Sequence, residues 1–418
     1  MELLNRNILC IDLKSFFASC ECIERNLDPF SYPLVVANPN QGGGAITLAV
    51  TPYLKKQGVK SRGRIYEIPK NIKYEIAKPR MSLYINKSKE VINIYLDYVA
   101  KEDLHIYSVD EAFLDVTNYL KLYKKTDYEL GLDILNTIRK KTGLTATCGI
   151  GPNMFLAKVA MDIESKHNDD NIAKWTYDDV EKKLWNITNL TDVWGIGPRM
   201  EKNLKKIGIR TIKDLACYSP GKLKDKFGII GLELWNHANG IDLAVISNSN
   251  IPTRSKSYSI SQILFKDYTD KNIKIIITEM VDTLTRRLRL NNKNCSTIGL
   301  GIGYSKDVGG SFYHNIKIDV PTDSSKIILK YCNLIFDKFY DDLPIRKVSI
   351  CCGNISDKKG IQLNLFDCYE NMLNEISINN AIDNINLRFG KNSILRASSL
   401  TSDSTIIERN KKIGGHNA

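Results

Sequence analysis

Residues 7–12 read Asn-Ile-Leu-Cys-Ile-Asp, a run of apolar residues that ends in a carboxylate. A short apolar run of this kind predicts a buried β-strand, which would end at Asp12. Residues 15–21, Ser-Phe-Phe-Ala-Ser-Cys-Glu, follow at once and predict the start of a helix, with Ser15 as a candidate N-cap. A buried strand that leads directly into a helix indicates a sheet covered by helices.

The alternation of strand and helix patterns continues to residue 150. Two β-rich pieces lie on either side of Asp110-Glu111, a helical stripe follows that ends at Gly143, and another strand comes after it. The order strand, helix, strand, strand, helix, strand predicts a ferredoxin-like sheet with helices on one face, and the excursion after the first helix predicts an inserted subdomain. These pieces are residues 104–109, 112–117, 126–141 and 144–150.

The pattern changes twice in the rest of the chain. Residues 153–240 look mostly helical, and the polar stretch 248–253 predicts a linker. Strand patterns return over residues 255–353, with helices near 270–290 and 323–340, and a polar tail follows residue 354. The predicted fold class is therefore α+β.

Composition limits the class of protein. The chain has 418 residues, 43% of them hydrophobic and 25% charged, which excludes a largely disordered or collagen-like chain. The ten cysteines form no CxxC pair, so we expect reduced thiols and a cytoplasmic protein; we also expect no signal peptide and no membrane span. The net charge of +12 favours a polyanionic partner such as nucleic acid, although a merely basic enzyme has the same balance.

Three acids are candidates for a metal site. Asp12 ends a predicted buried strand, and Asp110 and Glu111 lie between two β-rich pieces about a hundred residues away. Converging carboxylates repel one another, and a hard cation such as Mg²⁺ or Mn²⁺ relieves that repulsion. The alternative is that Asp12 caps a helix while Asp110-Glu111 forms a solvated turn.

Two basic regions are candidates for contact with DNA. Residues 194–209 read as a helix-hairpin-helix, in which Gly195 and Gly197 would let backbone N–H groups approach a phosphate and the following helix supplies Lys202 and Lys205. The alternative there is an ordinary glycine-rich turn between helices. The second region closes a predicted helix, where the usual meaning of such a run is a solvated face; it contains Arg286, Arg287 and Arg289.

One apolar cluster lies in the polar tail. Residues 361–366 read Ile-Gln-Leu-Asn-Leu-Phe. Exposed Leu and Phe in such a tail fit a docking peptide, and packing against the body of the protein explains them equally well.

The sequence resembles the Y family of lesion-bypass DNA polymerases, and its bacterial UmuC-like branch most of all. Residues 11–21 and 107–115, which hold Asp12 and Asp110-Glu111, resemble the two catalytic motifs of that family. The helix-hairpin-helix resembles the family's thumb, and the tail peptide resembles its sliding-clamp motif through Gln362, Leu363, Leu365 and Phe366.

The resemblance implies a right-hand polymerase with four domains. These would be a ferredoxin-like palm (residues 1–22 and 78–168), small fingers (23–77), a helix-hairpin-helix thumb (169–245) and an α+β little finger (250–353). A tail, 354–418, would carry the clamp peptide at 362–366.

The resemblance also implies the reaction. Asp12, the Leu13 carbonyl, Asp110 and Glu111 would hold two Mg²⁺ ions, with Mn²⁺ as a substitute. The primer 3′-hydroxyl would attack the α-phosphate of an incoming deoxynucleotide, and pyrophosphate would leave. The implied partners are primer-template DNA, a deoxynucleoside triphosphate and the sliding clamp, with no membrane.

Further residues are implied at the nucleotide. Phe17 falls at the family's steric-gate position, which excludes ribonucleotides, and Phe16 is a further candidate for contact with the nucleotide. The alternative for either ring is simple core packing. Lys55 and Lys166 match phosphate-binding positions, and the N–H groups of residues 14–17 are candidates for triphosphate oxygens. Where many members have a tyrosine this chain has Pro52, so Thr51 or Tyr53 is the candidate substitute.

These features predict an error-prone, template-directed polymerase of the translesion class. The alternative is a catalytically idle protein of the same fold that binds damaged DNA or the clamp.

Overall fold

The structure is a computed structural model that describes residues 3–246, 256–358 and 369–417. The chain forms two compact units, Met1–Ile251 with His416–Ala418, and Pro252–Gly415. Among the described residues, none of the helices is both long enough and apolar enough to cross a bilayer. Nine described cysteines are free thiols, as expected from the sequence.

The first unit begins with a mixed sheet and its helices. A π-helical turn, Met161–Ser165, extends the helix that begins at Met154. The elements as far as residue 174 are β1 (Ile8–Leu13), α1 (Phe16–Glu24), β2 (Leu34–Val36), β3 (Ala49–Val50), α2 (Pro52–Lys56), β4 (Glu75–Ala77), α3 (Met81–Leu96), β5 (Leu104–Ile106), β6 (Glu111–Asp115), α4 (Leu120–Tyr123), α5 (Asp127–Thr142), β7 (Ala146–Gly151), α6 (Met154–Ala160) and β8 (Ile172–Lys174).

The main sheet has the strand order β5-β6-β1-β7-β8, with β1 antiparallel to both β6 and β7. Its first four strands confirm the predicted ferredoxin-like order. Side chains of β1 alternate between two cores: Leu9 and Ile11 join the core formed with α3 and α5, whereas Ile8 and Cys10 join residues of α6. Helices therefore cover both faces, which corrects the expectation of helices on one face only.

A close approach places α6 against the sheet. A Cβ added to Gly149 in β7 would lie 2.1 Å from the carbonyl oxygen of Ala157, so only glycine fits there. Asn153 caps α6 by accepting a hydrogen bond from the Leu156 N–H at 2.9 Å. The strand β7 therefore leads directly into α6.

The insert after α1 is small and has its own core. Its three strands, two or three residues long, form a sheet in the order β3-β2-β4. Val35, Val50 and Leu54 are fully buried in this core. The sequence predicted an inserted subdomain after the first helix but assigned nothing to α3, the helix that leads from the insert back to the main sheet.

The remainder of the first unit is mostly helical, as predicted. Thr211 and Asp214 form a capping box at the second helix of the predicted helix-hairpin-helix. The helices are α7 (Asp179–Lys182), α8 (Pro198–Lys205), α9 (Ile212–Cys217), α10 (Pro220–Phe227) and α11 (Ile229–Ala238).

The second unit is an antiparallel sheet covered by two long helices, in the strand order β11-β10-β12-β9. The helices predicted near 270–290 and 323–340 are confirmed. The elements are β9 (Tyr258–Tyr268), α12 (Asp270–Leu290), β10 (Lys293–Tyr304), β11 (Ser311–Thr322), α13 (Ser325–Phe339), β12 (Ile345–Asp357), α14 (Tyr369–Phe389), α15 (Ile406–Asn410) and β13 (Lys412–Ile413); a further strand, β14 (His416–Asn417), belongs to the first unit.

The C-terminal segment, residues 369–413, is folded against α12, whereas the sequence predicted a polar tail. The Arg289 guanidinium donates to both carboxylate oxygens of Asp383 in α14, at 2.6 and 3.1 Å. Arg396 makes the same two-bond contact with Asp282, at 2.6 and 2.9 Å. Polar contacts of this kind leave no apolar stripe in the sequence, so hydrophobic periodicity did not reveal them.

These contacts correct the prediction that the arginines of α12 face DNA. Arg289 is bound to the buried Asp383, and Arg286 lies 3.8 Å from the same carboxylate. Both guanidinium groups therefore neutralise an internal acid. Arg287 is exposed and lies 4.8 Å from the centre of the Tyr258 ring, so it alone of the three remains presented to solvent.

Arg289→Ala is expected to destabilise the second unit by about 3–5 kcal/mol, because it leaves the Asp383 carboxylate buried without its main partner. Urea unfolding followed by circular dichroism measures this change. The matched control is Arg287→Ala, which removes an exposed charge and should cost less than about 1 kcal/mol. Equal effects of the two variants would contradict a structural role for the Arg289–Asp383 pair.

Candidate active site

The register of the main sheet brings the three predicted acids to one end of β1 and β6. Asp12 lies directly opposite Glu111, so both side chains point to the sheet face that α6 covers. Asp110 precedes Glu111, and its carbonyl oxygen accepts a hydrogen bond from the Leu13 N–H at 2.9 Å. Residues that are a hundred positions apart in sequence are thus neighbours in the fold.

Two lysines that follow β7 neutralise these acids. The Lys158 ammonium lies 2.7 Å from the Glu111 Oε1 atom, and the Lys166 ammonium lies 2.6 Å from the Asp12 Oδ2 atom. Asp162 contacts both lysines, at 3.1 and 2.7 Å. Sequence reasoning predicted Lys166 and missed Lys158 and Asp162. The spacing of four residues between 158, 162 and 166 was the available signal for one helical face.

Burial governs the electrostatics of the site. It raises the pKa of Asp12, against the opposing effect of Lys166, and the negative charge of Asp110 raises it further. Burial likewise raises the pKa of Glu111, against Lys158, with the charge of Asp12 adding to the rise. The carboxylates therefore repel one another and depend on nearby positive charge to stay ionised.

The site does not form a ready-made cage for an ion. Within the described residues, no group of three or more His, Cys, Asp or Glu side chains is arranged to hold a metal. Asp12 and Glu111 instead bind lysines, while Asp110 accepts a hydrogen bond from the Ser108 hydroxyl at 2.6 Å. The donor chemistry still fits a hard divalent cation, since it consists of carboxylates whose mutual repulsion such a cation would relieve. Leu13, whose carbonyl was the fourth predicted ligand, ends β1 with a buried side chain.

The two aromatic residues at the start of α1 have different environments. Phe16 is buried in the main core, with 2% of its surface exposed. Phe17 is half-buried, and its ring stacks on Tyr84, with centroids 4.5 Å apart and planes at 17°. The Tyr84 hydroxyl donates to the Glu21 carboxylate at 2.7 Å, and Glu21 is fully buried. Phe16 is therefore the core residue of the pair, and Tyr84, which the sequence did not indicate, supports Phe17.

A cluster of lysines lies beside the acids. Burial lowers the pKa of Lys14, and the positive charges of Lys56, Lys166 and Lys55 lower it further. Lys55 is in turn an electrostatic neighbour of Asp12 and of Asp110. Crowded positive charge next to the carboxylates suits a polyanionic ligand.

Two of the predicted phosphate contacts are wrong. The Thr51 hydroxyl is fully buried and donates to the Tyr32 carbonyl oxygen at 2.8 Å, so it has no access to a ligand. The N–H of Lys14 donates to the Thr145 carbonyl oxygen at 2.8 Å, which leaves only residues 15–17 as donors at the start of α1. Tyr53 is half-buried on α2 and remains a candidate.

The predicted helix-hairpin-helix is present and accessible. Gly195 adopts φ +94°, a conformation that favours glycine, and Gly197 precedes Pro198 at the first turn of α8. Both glycines are exposed, as are Lys202 and Lys205 on α8. Lys205 pairs with Glu201 at 2.8 Å.

The predicted clamp residues, Gln362, Leu363, Leu365 and Phe366, lie outside the described residues.

Comparison with protein families gives three matches along the chain. Residues 11–162 match the impB/mucB/samB family, and residues 255–365 match the C-terminal domain of that family. Residues 191–242, which contain the helix-hairpin-helix, match the thumb domain of DNA polymerase iota. Together these matches include both acid-bearing strands and most of the second unit.

Individual relatives match along nearly the whole chain. A Bacillus subtilis (strain 168) protein named "Putative UV-damage repair protein UvrX" is 39% identical, with 98% of this chain and 97% of the relative covered. DNA polymerase IV 2 of the same strain is 33% identical, with 98% of each chain covered. DNA polymerase IV of Pelotomaculum thermopropionicum is 31% identical, with 96% of this chain and 97% of the relative covered.

A solved structure has the same fold. A Y-family DNA polymerase chimera of Dbh and Dpo4 superposes with a TM-score of 0.66 at 20% identity, over 84% of this chain and 99% of the chimera. The sequence relatives and the family matches establish the family of the chain as well as its fold. The chain therefore belongs to the Y family of DNA polymerases, and it is an enzyme of that class.

Proposed function

We propose that this polymerase is an error-prone translesion enzyme that adds deoxynucleotides by a two-metal mechanism. The observation that carries the proposal is the pairing of Asp12 with Glu111 across β1 and β6, with Asp110 beside them. Y-family polymerases depend on metal ions in general, and the proposal is that two Mg²⁺ ions serve here, with Mn²⁺ able to replace them.

The acids and the lysines would have different roles in the site: the acids would bind metal ions and the lysines would bind phosphate. Asp12, Asp110, Glu111 and the Leu13 carbonyl are the proposed ligands. Bound ions would supply charge neutralisation on the triphosphate and a lower pKa for the primer 3′-hydroxyl. Lys166 would then exchange Asp12 for a phosphate oxygen, and its neighbours Lys14 and Lys55 would hold the same polyanion.

The proposed domains are those that the resemblance implies. Residues 1–22 and 78–168, which hold the main sheet except its edge strand β8, would be the palm, and the insert at 23–77 would be the fingers. Residues 169–245 would be the thumb, and 250–353 the little finger. The sheet of the insert has only two or three residues in each strand, so few side chains are available to check the shape of a base pair. A site that checks shape loosely accepts damaged templates and makes errors. We also propose that the chain belongs to the UmuC-like branch, which its two acid-bearing motifs resemble.

The thumb would bind the duplex through its backbone. The exposed Gly195 and Gly197 allow N–H groups to reach a phosphate, and Lys202 supplies a nearby charge. Such contacts carry no sequence information, which suits an enzyme that must work at any damaged site.

Primer extension on intact and lesion-bearing templates tests the proposal directly. The purified full-length chain should extend a primer past the lesion with Mg²⁺ or Mn²⁺ and stop when a chelator is added. Misincorporation opposite intact bases should be frequent, because the site checks base-pair shape loosely. DNA binding without any nucleotide incorporation would instead identify an idle member of the fold that senses damage or competes for the clamp.

Removal of residues 361–366 is expected to abolish stimulation by the sliding clamp and to leave unstimulated extension unchanged, because we assign these residues to clamp binding. The measurement is product length with and without clamp. Since the six residues connect β12 to α14 along the chain, a second variant should keep the length and replace Leu363, Leu365 and Phe366 with serine. Equal loss of basal and stimulated activity in that variant would mean that the peptide is structural.

A further inference from the structure

An aromatic contact joins the helix-hairpin-helix to the turn that carries Asp110. Trp194, the residue before Gly195, packs edge-on against Tyr107, with ring centroids 5.8 Å apart and planes at 82°. The indole N–H of Trp194 also donates to the Tyr107 hydroxyl at 3.2 Å. Phe113 of β6 completes the cluster, with its ring 6.1 Å from Trp194 and perpendicular to Tyr107 at 5.9 Å.

Tyr107 is rigidly connected to the catalytic turn. The N–H groups of Tyr107 and Ser108 both donate to the carbonyl oxygen of Glu111, each at 3.0 Å. The Ser108 hydroxyl holds the Asp110 carboxylate. A displacement of Tyr107 would therefore move the turn that carries Asp110.

Trp194 is equally tied to the proposed thumb. Its ring lies parallel to His237 of α11, at 6.1 Å between centroids and 13° between planes. His237 in turn stacks on Phe155 at the start of α6, at 4.3 Å. The indole is half-buried between these groups, directly before the exposed glycines assigned to the DNA backbone.

We propose that Trp194 is a positioning residue, which seats the Asp110 turn through Tyr107 when the hairpin holds the duplex. Catalysis would then reach its full rate only on DNA that the thumb binds in the correct position. The inference rests on the proposed function, because it takes Asp110 as catalytic and Gly195 and Gly197 as the duplex contact.

Single-turnover incorporation on Trp194 variants tests this inference. Trp194→Ala should slow the rate at saturating nucleotide by up to about a hundredfold, the size of effect known for small misplacements of catalytic groups. The Kd for primer-template, measured by fluorescence anisotropy, should change far less. A rate equal to wild type, or a loss of rate matched by an equal loss of DNA affinity, would overturn the inference.

Milder variants keep the test valid if the alanine variant folds poorly. Trp194→Phe retains an aromatic ring and loses the N–H, while Tyr107→Phe retains the ring and loses the hydroxyl. Both should slow incorporation to a similar, smaller degree, because each removes the same hydrogen bond. Trp235→Ala, at another half-buried indole of the thumb, is the matched control and should leave the rate unchanged. A full effect in this control would assign the loss to general thumb destabilisation and overturn the inference.

A spectroscopic readout separates positioning from simple packing. The difference in intrinsic fluorescence between the wild type and Trp194→Phe reports on Trp194 alone. That difference should change when duplex binds, and the absence of any change would contradict coupling between the hairpin and the turn. If the wild type itself extends no primer, the proposed function fails; if it extends while all Trp194 variants extend equally well, only this inference fails.

Discussion

Replacement of Asp110 with alanine is expected to reduce primer extension by at least about a thousandfold. We propose Asp110 as a metal ligand, and such a ligand supplies several kcal/mol of charge stabilisation in the transition state. Asp110 lies beside the Asp12–Glu111 pair, with its carboxylate held by the Ser108 hydroxyl. Single-turnover incorporation with Mg²⁺ at saturating nucleotide measures the change.

The electrostatics of the site indicate that the Asp110→Ala variant will fold. The charge of Asp110 raises the pKa of Asp12, so its removal relieves a repulsion within the native state. Thermal melting should therefore show a variant at least nearly as stable as the wild type. The loss of activity could then not be attributed to unfolding.

A matched control is available on the surface. Asp97, which is 60% exposed and pairs with Lys141 at 3.0 Å, can be changed to alanine without touching the site. Asp97→Ala should leave extension unchanged within about twofold, since an exposed pair contributes little. Wild-type rates in Asp110→Ala would remove the proposed mechanism.

Phe17→Ala is expected to lower discrimination between deoxynucleotides and ribonucleotides by roughly 5- to 160-fold, which corresponds to the 1–3 kcal/mol cost of forcing an extra group into a packed site. The structure explains why the ring would resist displacement. Phe17 stacks on Tyr84, and Tyr84 is held by the fully buried Glu21, which Arg80 also contacts through two hydrogen bonds at 2.9 and 2.7 Å.

The ratio of kcat/KM for a deoxynucleotide to that for the matching ribonucleotide measures sugar selection. Phe16→Leu is the control, because the structure buries Phe16 in the main core, which corrects its prediction as a nucleotide contact. That variant should lose some stability and keep its sugar selection. An unchanged ratio in Phe17→Ala would show that the gate is assigned to the wrong residue.

The sequence predicted the main sheet well because its strands are short apolar runs bounded by clear turns. Strand patterns alone left open whether Asp12 and Asp110-Glu111 converge, and the resemblance of the two motifs favoured convergence. The register brings Asp12 and Glu111 face to face. The lysines that neutralise them were harder to foresee. Lys158 follows the strand β7 by several residues, and its contact with Glu111 depends on the close approach of α6 that Gly149 permits.

Other errors have equally specific causes. Thr51 was a reasonable phosphate ligand by chemistry, but its side chain is buried and its hydroxyl donates to the Tyr32 carbonyl oxygen of the insert. Arg289 lies in a basic run that indicated DNA contact, and its partner Asp383 is 94 residues away in a segment with little hydrophobic pattern. Contacts between distant polar residues are invisible to periodicity, and only the tertiary fold reveals them.

The π-helical turn at Met161–Ser165 has a consequence for how this enzyme tolerates insertions and deletions. A π turn holds one residue more than the α-helical turn it replaces, so loss of a single residue there would restore α-helical hydrogen bonds and leave Lys166 facing Asp12. Gain or loss of a residue in the regular turns of α6 would instead rotate Lys166 by about 100° away from that carboxylate. Natural variation in chain length should therefore be tolerated better in these five residues than in the turns of α6 that precede them.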